Sequence, residues 1–445
     1  MKYYDRVSEL NLLKTIQKKS FDEFSKMTVL KGRRRIGKTT LGILSMEGTD
    51  TVYLFVSRKP EAYLCAEYAE SIRQSLNEYV PQGITRFKDI FTILMNIGKN
   101  RHFNLFIDEF QEFLYINPTI YADIQDVWDR ERRNSKINFV VSGSVFTLME
   151  KIFKDEKQAL FGRADLSLTL EAFRTDVLKE IMEDHKNNYA NEDLLALYSF
   201  TGGVPKYVEL FMDNGCTDMD SMVDYLTRPD SLFFDEGKNM LIQEFGKQYS
   251  TYFSILGLIA SGDVTLPQIE GRLGEKSIGG QMKLLEEEYR LIKKKRPIRA
   301  KDSSKSVRYE INDVFLRFWF RYFYRYRNLI EIKNYSALAS IIRNDYTTYS
   351  GRILERWFRQ KLMESQQYME IGSWWHPRRG STGKETENEI DLVAVDLEGR
   401  VSAFEVKRNR KKYSEALLRA KVCDMQSSAF GQSEISTGCL SLEDM

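Results

Sequence analysis

The most constraining feature of this chain is a glycine-rich loop near its amino terminus. The loop reads Gly32-Arg33-Arg34-Arg35-Ile36-Gly37-Lys38-Thr39 and is followed by Thr40. An apolar run over 27–30 precedes it and helical spacing over 40–46 follows it, which predicts a strand, a tight turn and a helix. Such a turn directs backbone N–H groups and a helix N-terminus at one point, where a triphosphate is stabilised. We therefore predict that residues 32–40 bind ATP, with Lys38 reaching the β and γ phosphates and Thr39 coordinating Mg²⁺.

Length and composition limit the classes of protein that this chain can belong to. A chain of 445 residues predicts two or three domains. Its 66 basic and 64 acidic residues nearly balance, so contact with nucleic acid has to come from local patches. Four scattered cysteines and three scattered histidines argue against a structural zinc or a disulfide framework. The lack of a long apolar run predicts a cytoplasmic protein without a membrane partner.

A second apolar run, over 104–107, ends in Asp108 and Glu109. This pattern is typical of a buried parallel strand whose carboxyl end reaches an active site. We expect Asp108 to hold Mg²⁺ through water and Glu109 to polarise the water that attacks the γ phosphate. The alternative is the solvated end of an ordinary strand.

A third apolar run, over 137–141, ends in Ser142. Ser142 is predicted to sense the γ phosphate or to orient the attacking water, and its alternative role is to cap the next helix. A further strand and three helices are predicted over 51–56, 60–78, 86–98 and 119–132. Strands that alternate with helices indicate an α/β sandwich.

These segments resemble the prokaryotic and archaeal-type ATPase family, on the AAA-like, signal-transduction side of the P-loop ATPases. The resemblance rests on the loop, on the segments 5–10 and 201–207, and on Phe161-Gly162-Arg163. Val7 and Ser8 stand where that family usually has acidic residues. The resemblance implies a P-loop sandwich, and it places Arg6 near the nucleotide.

The same resemblance implies roles for two further residues. Arg163 is implied as an arginine finger or sensor, and a surface salt bridge is its alternative. The segment Gly202-Gly203-Val204-Pro205 is implied to belong to a helical lid over about 171–230, with Pro205 among the nucleotide-binding residues. A simple turn with Pro205 at a helix start is the alternative. Arg33, Arg34 and Arg35 are expected to meet acidic lid residues, a neighbouring subunit of a homo-oligomer or nucleic acid, unless they form a solvated turn.

Residues 247–310 have the order of a winged helix-turn-helix, with helices over 252–261, 265–273 and 277–287 and then a basic hairpin. The hairpin has a turn at 302–304, a returning strand at 307–311 and basic side chains at Lys293, Lys294, Lys295, Arg296, Arg299, Lys301, Lys305 and Arg308. Such charge favours contact with DNA phosphates. Three glutamates at 286–288 oppose it. The alternative is a packing module that couples the lid to the carboxy-terminal domain.

Residues 313–326 alternate aromatic side chains with arginines. At helical spacing Phe315, Phe318, Trp319 and Tyr322 fall on one face, which favours an aromatic core stripe with the arginines outside it. The alternative is a surface on which nucleobases stack.

The last part of the chain carries a second set of carboxylates. We predict a helix over 354–363 with Glu355, a charged loop over 378–388, and strands over 368–375, 389–395 and 401–407. Asp391 and Glu405 then meet at the fork between paired strands. Lys407 lies on the same face as Glu405 because strand side chains repeat every second residue. Two hard oxygen ligands and an ammonium group suit Mg²⁺ binding and the activation of water at a phosphate.

This arrangement resembles the PD-(D/E)xK nuclease superfamily, with Asp391 and the Glu405-x-Lys407 pair in its motif positions and Glu355 as its helical glutamate. Ile390 stands where a proline is usual. The resemblance implies a restriction-endonuclease-like α/β domain that cleaves phosphodiesters with a metal ion, or a degenerate module that only binds. The basic run 408–412 is expected to contact the DNA backbone or to be a solvated helix start.

We predict four segments: a P-loop ATPase core over 1–170, a helical lid over 171–240, a winged helix-turn-helix with the aromatic helix over 241–330, and a nuclease-like domain over 331–445. The predicted function is hydrolysis of ATP that controls a DNA-binding or Mg²⁺-dependent nuclease domain. The alternative is a regulatory ATP switch or transcription regulator whose nuclease-like domain is an inactive interaction surface. The DNA substrate and the oligomeric state are left open.

Overall fold

The computed structural model describes residues 1–445 except 246–248, 263, 275–276, 302–303, 305, 380–384 and 432–433. The chain divides into an amino-terminal unit, Tyr4–Ala172, and a carboxy-terminal unit, Phe173–Met445 together with Met1–Tyr3. The predicted end of the ATPase core at residue 170 lies next to this division. The predicted boundaries at 240 and 330 fall inside the carboxy-terminal unit and stay predictions.

The amino-terminal unit is built around a sheet of five parallel strands. These are β1 Lys26–Lys31, β2 Thr51–Phe55, β3 Phe103–Asp108, β4 Ile137–Gly143 and β5 Leu166–Thr169, in the order β2-β3-β4-β1-β5. Every residue of β1, β3 and β4 is buried, as expected when helices cover both faces of a parallel sheet. Because β4 lies between β1 and β3, the carboxyl ends of all three strands meet at one edge of the sheet.

Seven α-helices surround this sheet in the described part of the unit. They are α1 Val7–Asp22, α2 Lys38–Ser45, α3 Glu61–Leu76, α4 Phe87–Asn100, α5 Phe113–Ile116, α6 Ile120–Glu131 and α7 Phe146–Lys154. The apolar faces of α3, α4 and α6 pack on one side of the sheet around Phe87, Phe91, Trp128 and Phe139. The predicted strands and helices of this unit are confirmed, and so is the α/β class.

The carboxy-terminal unit begins with a helical region. Its helices are α8 Thr175–His185, α9 Asn191–Thr201, α10 Pro205–Asp213, α11 Met219–Thr227, α12 Phe233–Phe245, α13 Tyr249–Ser261, α14 Leu266–Leu273 and α15 Gly279–Lys283, which continues as a π-helical turn. An antiparallel hairpin follows, formed by β6 Ile292–Lys295 and β7 Arg308–Ile311. Three helices and a hairpin therefore stand in the predicted order, while the winged helix itself stays a prediction. Residues 302, 303 and 305 of the predicted turn and basic set lie outside the described residues.

The helices α16 Val314–Trp319, α17 Arg327–Glu331 and α18 Tyr335–Glu364 come next, with a π-helical segment over Phe320–Tyr324. Phe315, Phe318, Trp319 and Tyr322 are at most 4% exposed, so the predicted aromatic core is confirmed and these rings are not available for stacking on nucleobases. The prediction that the arginines lie outside was only partly right. Arg325 is exposed, but Arg317 and Arg321 are half-buried, and Arg321 pairs with Asp345 at 2.7 Å.

The helix α18 is also longer than predicted, because it begins at Tyr335 instead of residue 354. Its first part mixes aromatic, polar and apolar residues, and the periodicity of the sequence is weak there. Even this helix of 30 residues lacks the apolar character of a membrane span, as do all the described helices.

The unit ends in a four-stranded mixed sheet. Its strands are β8 Tyr368–Arg379, β9 Glu385–Asp396, β10 Val401–Lys407 and β11 Ile435–Ser441. The helix α19 Glu415–Met425 follows β10 and precedes β11 in the sequence. The order is β11-β10-β9-β8, with β10 and β11 parallel and the other pairs antiparallel. The predicted loop over 378–388 was wrong in extent. The pairing of β8 with β9 continues to Arg379 and Glu385, because backbone hydrogen bonds extend the strands past their apolar residues, and 380–384 lie outside the described residues.

Candidate functional sites

The glycine-rich loop connects β1 to α2 with a backbone that only glycine adopts easily. Gly32 has φ 152° and Gly37 has φ 91°, both in the region that disfavours side chains. A Cβ atom on Gly32 would lie 2.7 Å from the carbonyl oxygen of Leu170. The loop therefore forms a tight concave turn at the carboxyl end of β1, and its shape fits a bound phosphate chain.

Lys38 stands at the start of α2 with its ammonium group over this turn. Its side chain is buried, and Nζ donates hydrogen bonds of 3.0 Å to the carbonyl oxygens of Gly32 and Arg33. Burial lowers the pKa of Lys38 to about 8, although the charges of Glu109 and Asp108 oppose this effect. A phosphate group beside Nζ favours the charged form of the lysine. The ammonium group of Lys38 thus lies at the concave turn, and its binding of phosphates stays a prediction.

Asp108, at the end of β3, is the centre of the second part of this site. Thr39 Oγ1 donates to Asp108 Oδ2 at 2.7 Å, and Ser142 Oγ, at the end of β4, donates to Oδ1. The structure thus brings three predicted residues, Thr39, Asp108 and Ser142, together at the edge of the sheet. A hydroxyl and a carboxylate are the hard oxygen ligands that Mg²⁺ prefers, so these residues fit a Mg²⁺ ion.

A fourth side chain at Asp108 was not found from the sequence. The hydroxyl group of Tyr53, on β2, donates to Asp108 Oδ2 at 3.1 Å. Burial, and then the charge on Asp108, raise the pKa of Tyr53. Nothing in the sequence around Tyr53 marks this contact, since it depends on the pairing of β2 with β3.

Glu109 follows Asp108 in a left-handed backbone conformation, with φ 54°. Its Oε2 atom accepts hydrogen bonds from Ser144 Oγ, at 2.8 Å, and from Gln111 Nε2, at 2.5 Å. Ser144 and Gln111 were also missed, although Ser144 follows Ser142 by two positions and lies directly after the end of β4. These bonds fix the direction of the Glu109 carboxylate, as positioning an attacking water requires.

The residues implied by the family resemblance have different surroundings. Arg163 forms an ion pair with Asp129 on α6, with Nη2 at 2.8 Å from Oδ2, so the structure shows the salt bridge, and the arginine-finger role stays a prediction. Arg6 donates to the carbonyl oxygen of Glu171, next to the Leu170 that packs on Gly32. Arg6 is therefore anchored beside the phosphate-binding loop.

The structure shows no contact that supports a functional role for the other predicted nucleotide-binding residues among those described. Arg33, Arg34 and Arg35 are half-buried, and their partners stay a prediction. Ile36 is buried and Thr40 is exposed. Pro205 begins α10 after a turn at Gly202 and Gly203, whose φ angles are 60° and 73°. A role of Pro205 in nucleotide binding stays a prediction.

A second candidate site, which we call the carboxylate site, consists of Glu355, Asp391, Glu405 and Lys407. The pairing of β9 with β10 ends where Leu392 faces Phe404, and Asp391 and Glu405 are the first residues beyond that point. Lys407 Nζ donates to Glu405 Oε2 and lies 3.7 Å from Asp391 Oδ2. The predicted fork thus brings Asp391, Glu405 and Lys407 together.

The backbone and a second lysine complete this arrangement. The N–H group of Val406 donates to Asp391 Oδ2 at 2.7 Å, which fixes the carboxylate against β10. Lys421, on α19, donates to Glu405 Oε1. Lys421 could not be identified from the sequence, because a single lysine on a polar helix resembles any other.

The carboxylates of this site differ in their proton affinity. Burial, and then the charge on Glu405, raise the pKa of Asp391 to about 6. Burial, and then the charge on Asp391, raise the pKa of Glu355 to about 8. Burial favours a high pKa for Glu405 too, but hydrogen bonds from Lys407 and Lys421 outweigh it and lower the pKa. At neutral pH Glu405 is therefore ionised, whereas Glu355 mostly retains its proton.

No group of three or more His, Cys, Asp or Glu side chains among the described residues is arranged to hold a metal ion. Asp391 and Glu405 nevertheless converge on one ammonium group. Mg²⁺ is often held by one or two carboxylates and several waters. The two carboxylates fit such an ion, provided that Glu405 is released from a lysine.

The basic hairpin next to this site is largely paired with acidic residues of its own unit. Lys293 and Lys295 pair with Glu310 at 3.2 and 3.1 Å. Arg299 pairs with Glu370 on β8, and Arg308 pairs with Glu389 on β9, at 2.9 and 2.8 Å. The backbone N–H of Ile298 donates to the carbonyl oxygen of Ser373 at 2.8 Å. These contacts agree with the alternative of a packing module, and contact of the hairpin with DNA stays a prediction.

The comparisons with known proteins agree with this geometry in the amino-terminal unit. Residues 3–211 match a family model described as an ATPase domain predominantly from Archaea. This part of the chain is therefore similar to archaeal-type ATPase domains. The match supports ATP binding and ATP hydrolysis by these residues. Residues 319–417 match a second family model, described as archaea bacterial proteins of unknown function.

Individual proteins are similar to the chain over most of its length. An uncharacterized protein of Methanocaldococcus jannaschii is 29% identical over 412 residues, which cover 90% of this chain and 86% of that protein. The solved structure of the Walker-type ATPase of Pyrococcus abyssi has a TM-score of 0.54 at 16% identity and covers 72% of this chain and 96% of that chain. The ORC2 protein of Aeropyrum pernix has a TM-score of 0.47 at 15% identity, over 74% and 95%. The likeness to the Pyrococcus abyssi protein shows a shared fold.

Proposed function

We propose that this protein hydrolyses ATP and uses that reaction to control a nucleic-acid site in its carboxy-terminal unit, at which phosphodiesters are cleaved with Mg²⁺. The observation that carries the second half of this proposal is the convergence of Asp391, Glu405 and Lys407 where β9 and β10 diverge. Two carboxylates and an ammonium group around one point are the chemistry that phosphodiester hydrolysis needs.

The ATPase reaction follows from the residues at the end of β1, β3 and β4. Lys38 binds the β and γ phosphates, while Thr39 and Asp108 would hold Mg²⁺, which would neutralise phosphate charge during transfer. Glu109, fixed by Ser144 and Gln111, orients the water that attacks the γ phosphate. Ser142 holds Asp108 in place and is positioned to respond to the γ phosphate.

The carboxy-terminal reaction uses residues on paired strands. Asp391 and Glu405 would hold the divalent cation, and Lys407 binds a phosphate oxygen and stabilises the charge that develops when water attacks phosphorus. The mixed sheet with α18 and α19 is compatible with the restriction-endonuclease-like fold that the sequence resemblance implies. Because the pKa of Asp391 is about 6, cation binding at this site is expected to weaken as the pH falls below that value.

The proposal is tested by incubating plasmid and branched DNA with the full chain in Mg²⁺ or Mn²⁺. We expect wild type and Glu398→Ala to cleave and Asp391→Ala to lose cleavage. Glu398 is the matched control because its side chain is exposed in the turn between β9 and β10. DNA that stays intact at saturating wild-type protein, in both metals and with ATP, would refute the nuclease part.

A second candidate function is a regulatory ATP switch in which the carboxylate site has no catalytic role. The observation in its favour is that both oxygens of Glu405 already accept hydrogen bonds from lysines. This candidate predicts an ATP-dependent change in oligomeric state, measured by light scattering, without DNA cleavage. Sequence-specific footprints without cleavage would point to a transcription regulator.

A further inference from the structure

We propose that Lys421 is a substrate-binding residue of the carboxylate site, where its ammonium group exchanges Glu405 for a phosphate oxygen of nucleic acid when a divalent cation binds. This inference rests on the proposed function of the site. It adds a residue that lies outside the motif formed by Asp391, Glu405 and Lys407.

One buried carboxylate, that of Glu405, accepts hydrogen bonds from two ammonium groups. Lys421 donates to Oε1 of Glu405, and Lys407 donates to Oε2. The Glu405 side chain is 7% exposed, whereas the side chains of Lys421 and Lys407 are 28% and 34% exposed. Each ammonium group has three donors, so both lysines retain N–H groups that a ligand from solvent can reach.

The helix α19 holds Lys421 in a fixed position. Leu418 and Val422 are buried in the core that α19 shares with β9 and β10. Asn388, at the site end of β9, donates to Asp424 on α19 at 2.7 Å. Lys421 lies between these anchor points, at the edge of the buried face of the helix. Its side chain therefore starts from a rigid element, as precise binding of a substrate group requires.

Binding of a divalent cation would change the balance of charge at the carboxylate site. A divalent cation on Asp391 and Glu405 takes a Glu405 oxygen that a lysine now occupies, and it repels both ammonium groups at short range. An ammonium group that loses its partner in a partly buried site needs another anion. A phosphodiester is that anion, because the same cation attracts it. We expect Lys421 to exchange its partner Glu405 for the phosphate. Lys407 has a second carboxylate nearby, because its Nζ atom lies 3.7 Å from Asp391 Oδ2.

A purely structural ion pair leads to a different expectation. Loss of a structural lysine lowers stability and weakens every ligand of the site together. The exchange predicts opposite changes in two affinities. Removal of the Lys421 charge frees Glu405 and raises the affinity for a cation, but it removes a phosphate ligand and lowers the affinity for DNA. Binding of metal and binding of DNA therefore separate the two explanations.

The experiment uses the full chain as wild type, Lys421→Met and Lys333→Met. Lys333 is the matched control because it is an exposed lysine between α17 and α18, outside every predicted site. Binding of Mn²⁺ alone is measured by electron paramagnetic resonance, and binding of a fluorescein-labelled DNA is measured by anisotropy in Ca²⁺. We expect Lys421→Met to bind Mn²⁺ roughly threefold more tightly and DNA about tenfold more weakly, as the loss of a charged hydrogen bond predicts. Lys333→Met should stay within about twofold of wild type, in line with the small effect of an exposed charge.

Lys421→Arg and thermal unfolding curves keep the result interpretable if Lys421→Met folds poorly. The arginine variant retains the charge and is expected to retain DNA binding. Wild-type DNA affinity in a folded Lys421→Met, or a joint loss of Mn²⁺ and DNA affinity, overturns the inference while the proposed function stands. Wild-type protein that binds neither Mn²⁺ nor DNA overturns the proposed function, and the inference with it.

Discussion

The two candidate sites of this chain hold their central carboxylates with different partners. In the amino-terminal unit Asp108 accepts hydrogen bonds from three hydroxyl groups, those of Thr39, Ser142 and Tyr53. In the carboxy-terminal unit Glu405 accepts hydrogen bonds from two ammonium groups. A hydroxyl oxygen carries no charge and can itself coordinate Mg²⁺, whereas an ammonium group repels the ion and has to leave.

The two sites therefore differ in which contacts have to change before a cation can bind. Around Asp108 the loop backbone and the hydroxyl groups already lie at one edge of the sheet, so the proposed binding of a nucleotide and a cation requires no exchange of ion-pair partners there. In the carboxylate site the lysines already neutralise Glu405, so the proposed binding of a cation requires such an exchange. Four variants test this difference between the sites.

The largest effect is expected from Lys38→Ala. Lys38 is buried over the glycine-rich loop, and its loss removes the charge that we propose binds the β and γ phosphates. We expect ATP turnover to fall by roughly 10²-fold or more, measured as phosphate release. Lys14→Ala, at an exposed position of α1, is the control and should turn over ATP like wild type. Normal turnover by Lys38→Ala would refute the assignment of the loop.

Gly32→Ala tests whether the glycine-rich loop requires a residue without a side chain at position 32. The new methyl group would meet the carbonyl oxygen of Leu170 at 2.7 Å, in a backbone region that disfavours side chains. We expect the free energy of unfolding of this unit to fall by about 2–4 kcal/mol. Gly48→Ala is the control, since Gly48 has φ 77° and open space around it, and it should cost only about 1 kcal/mol. Equal losses for both variants would show that close packing at Gly32 is unimportant.

Glu355→Gln tests the electrostatics of the carboxylate site. The pKa of Glu355 is raised to about 8, so the fold favours its protonated form. Its stabilising contribution is complete below the usual pKa near 4.5 and is lost as the pH rises through 8. In EDTA, Glu355→Gln should match wild type at pH 4 and be more stable by about 1–3 kcal/mol at pH 9. A difference that does not depend on pH would contradict this expectation, and Glu398→Gln is the exposed control.

The smallest effect is expected from Tyr53→Phe. The variant removes one of three hydroxyl donors to Asp108 and keeps the ring that packs against Phe106. We expect ATP turnover to fall about threefold to tenfold, the effect of one hydrogen bond of about 1 kcal/mol. Tyr63→Phe, at an exposed position of α3, is the control. An unchanged rate in Tyr53→Phe would show that Thr39 and Ser142 suffice to orient Asp108.

Much of the amino-terminal unit could be predicted because its signals are local. Asp108 and Ser142 each end an apolar run, and parallel strands bring such ends to one edge. Tyr53 could not be predicted, since its contact depends on the register of β2 beside β3. The role of Arg163 also needs more than the sequence, because its ion pair with Asp129 joins distant parts of the chain.

The carboxy-terminal unit was predicted less completely. The fork between paired strands predicted that Asp391 lies near Glu405, and strand periodicity predicted Lys407 on the same face as Glu405. The start of α18 and the extent of the loop over 378–388 were wrong, because pairing between strands and packing of the helix extend these elements beyond their apolar patterns. The hairpin cations suggested DNA contact, but most of those described pair with acidic residues of the same unit.

The sequence by itself determined the phosphate-binding loop, since two glycines, a lysine and a threonine between a strand and a helix specify a local backbone shape. It also determined which carboxylates could serve as ligands. Only the tertiary structure decided which donors face them. Hydroxyl groups reach Asp108 and ammonium groups reach Glu405 because of strand register and the position of α19, and such contacts join residues that no local pattern connects.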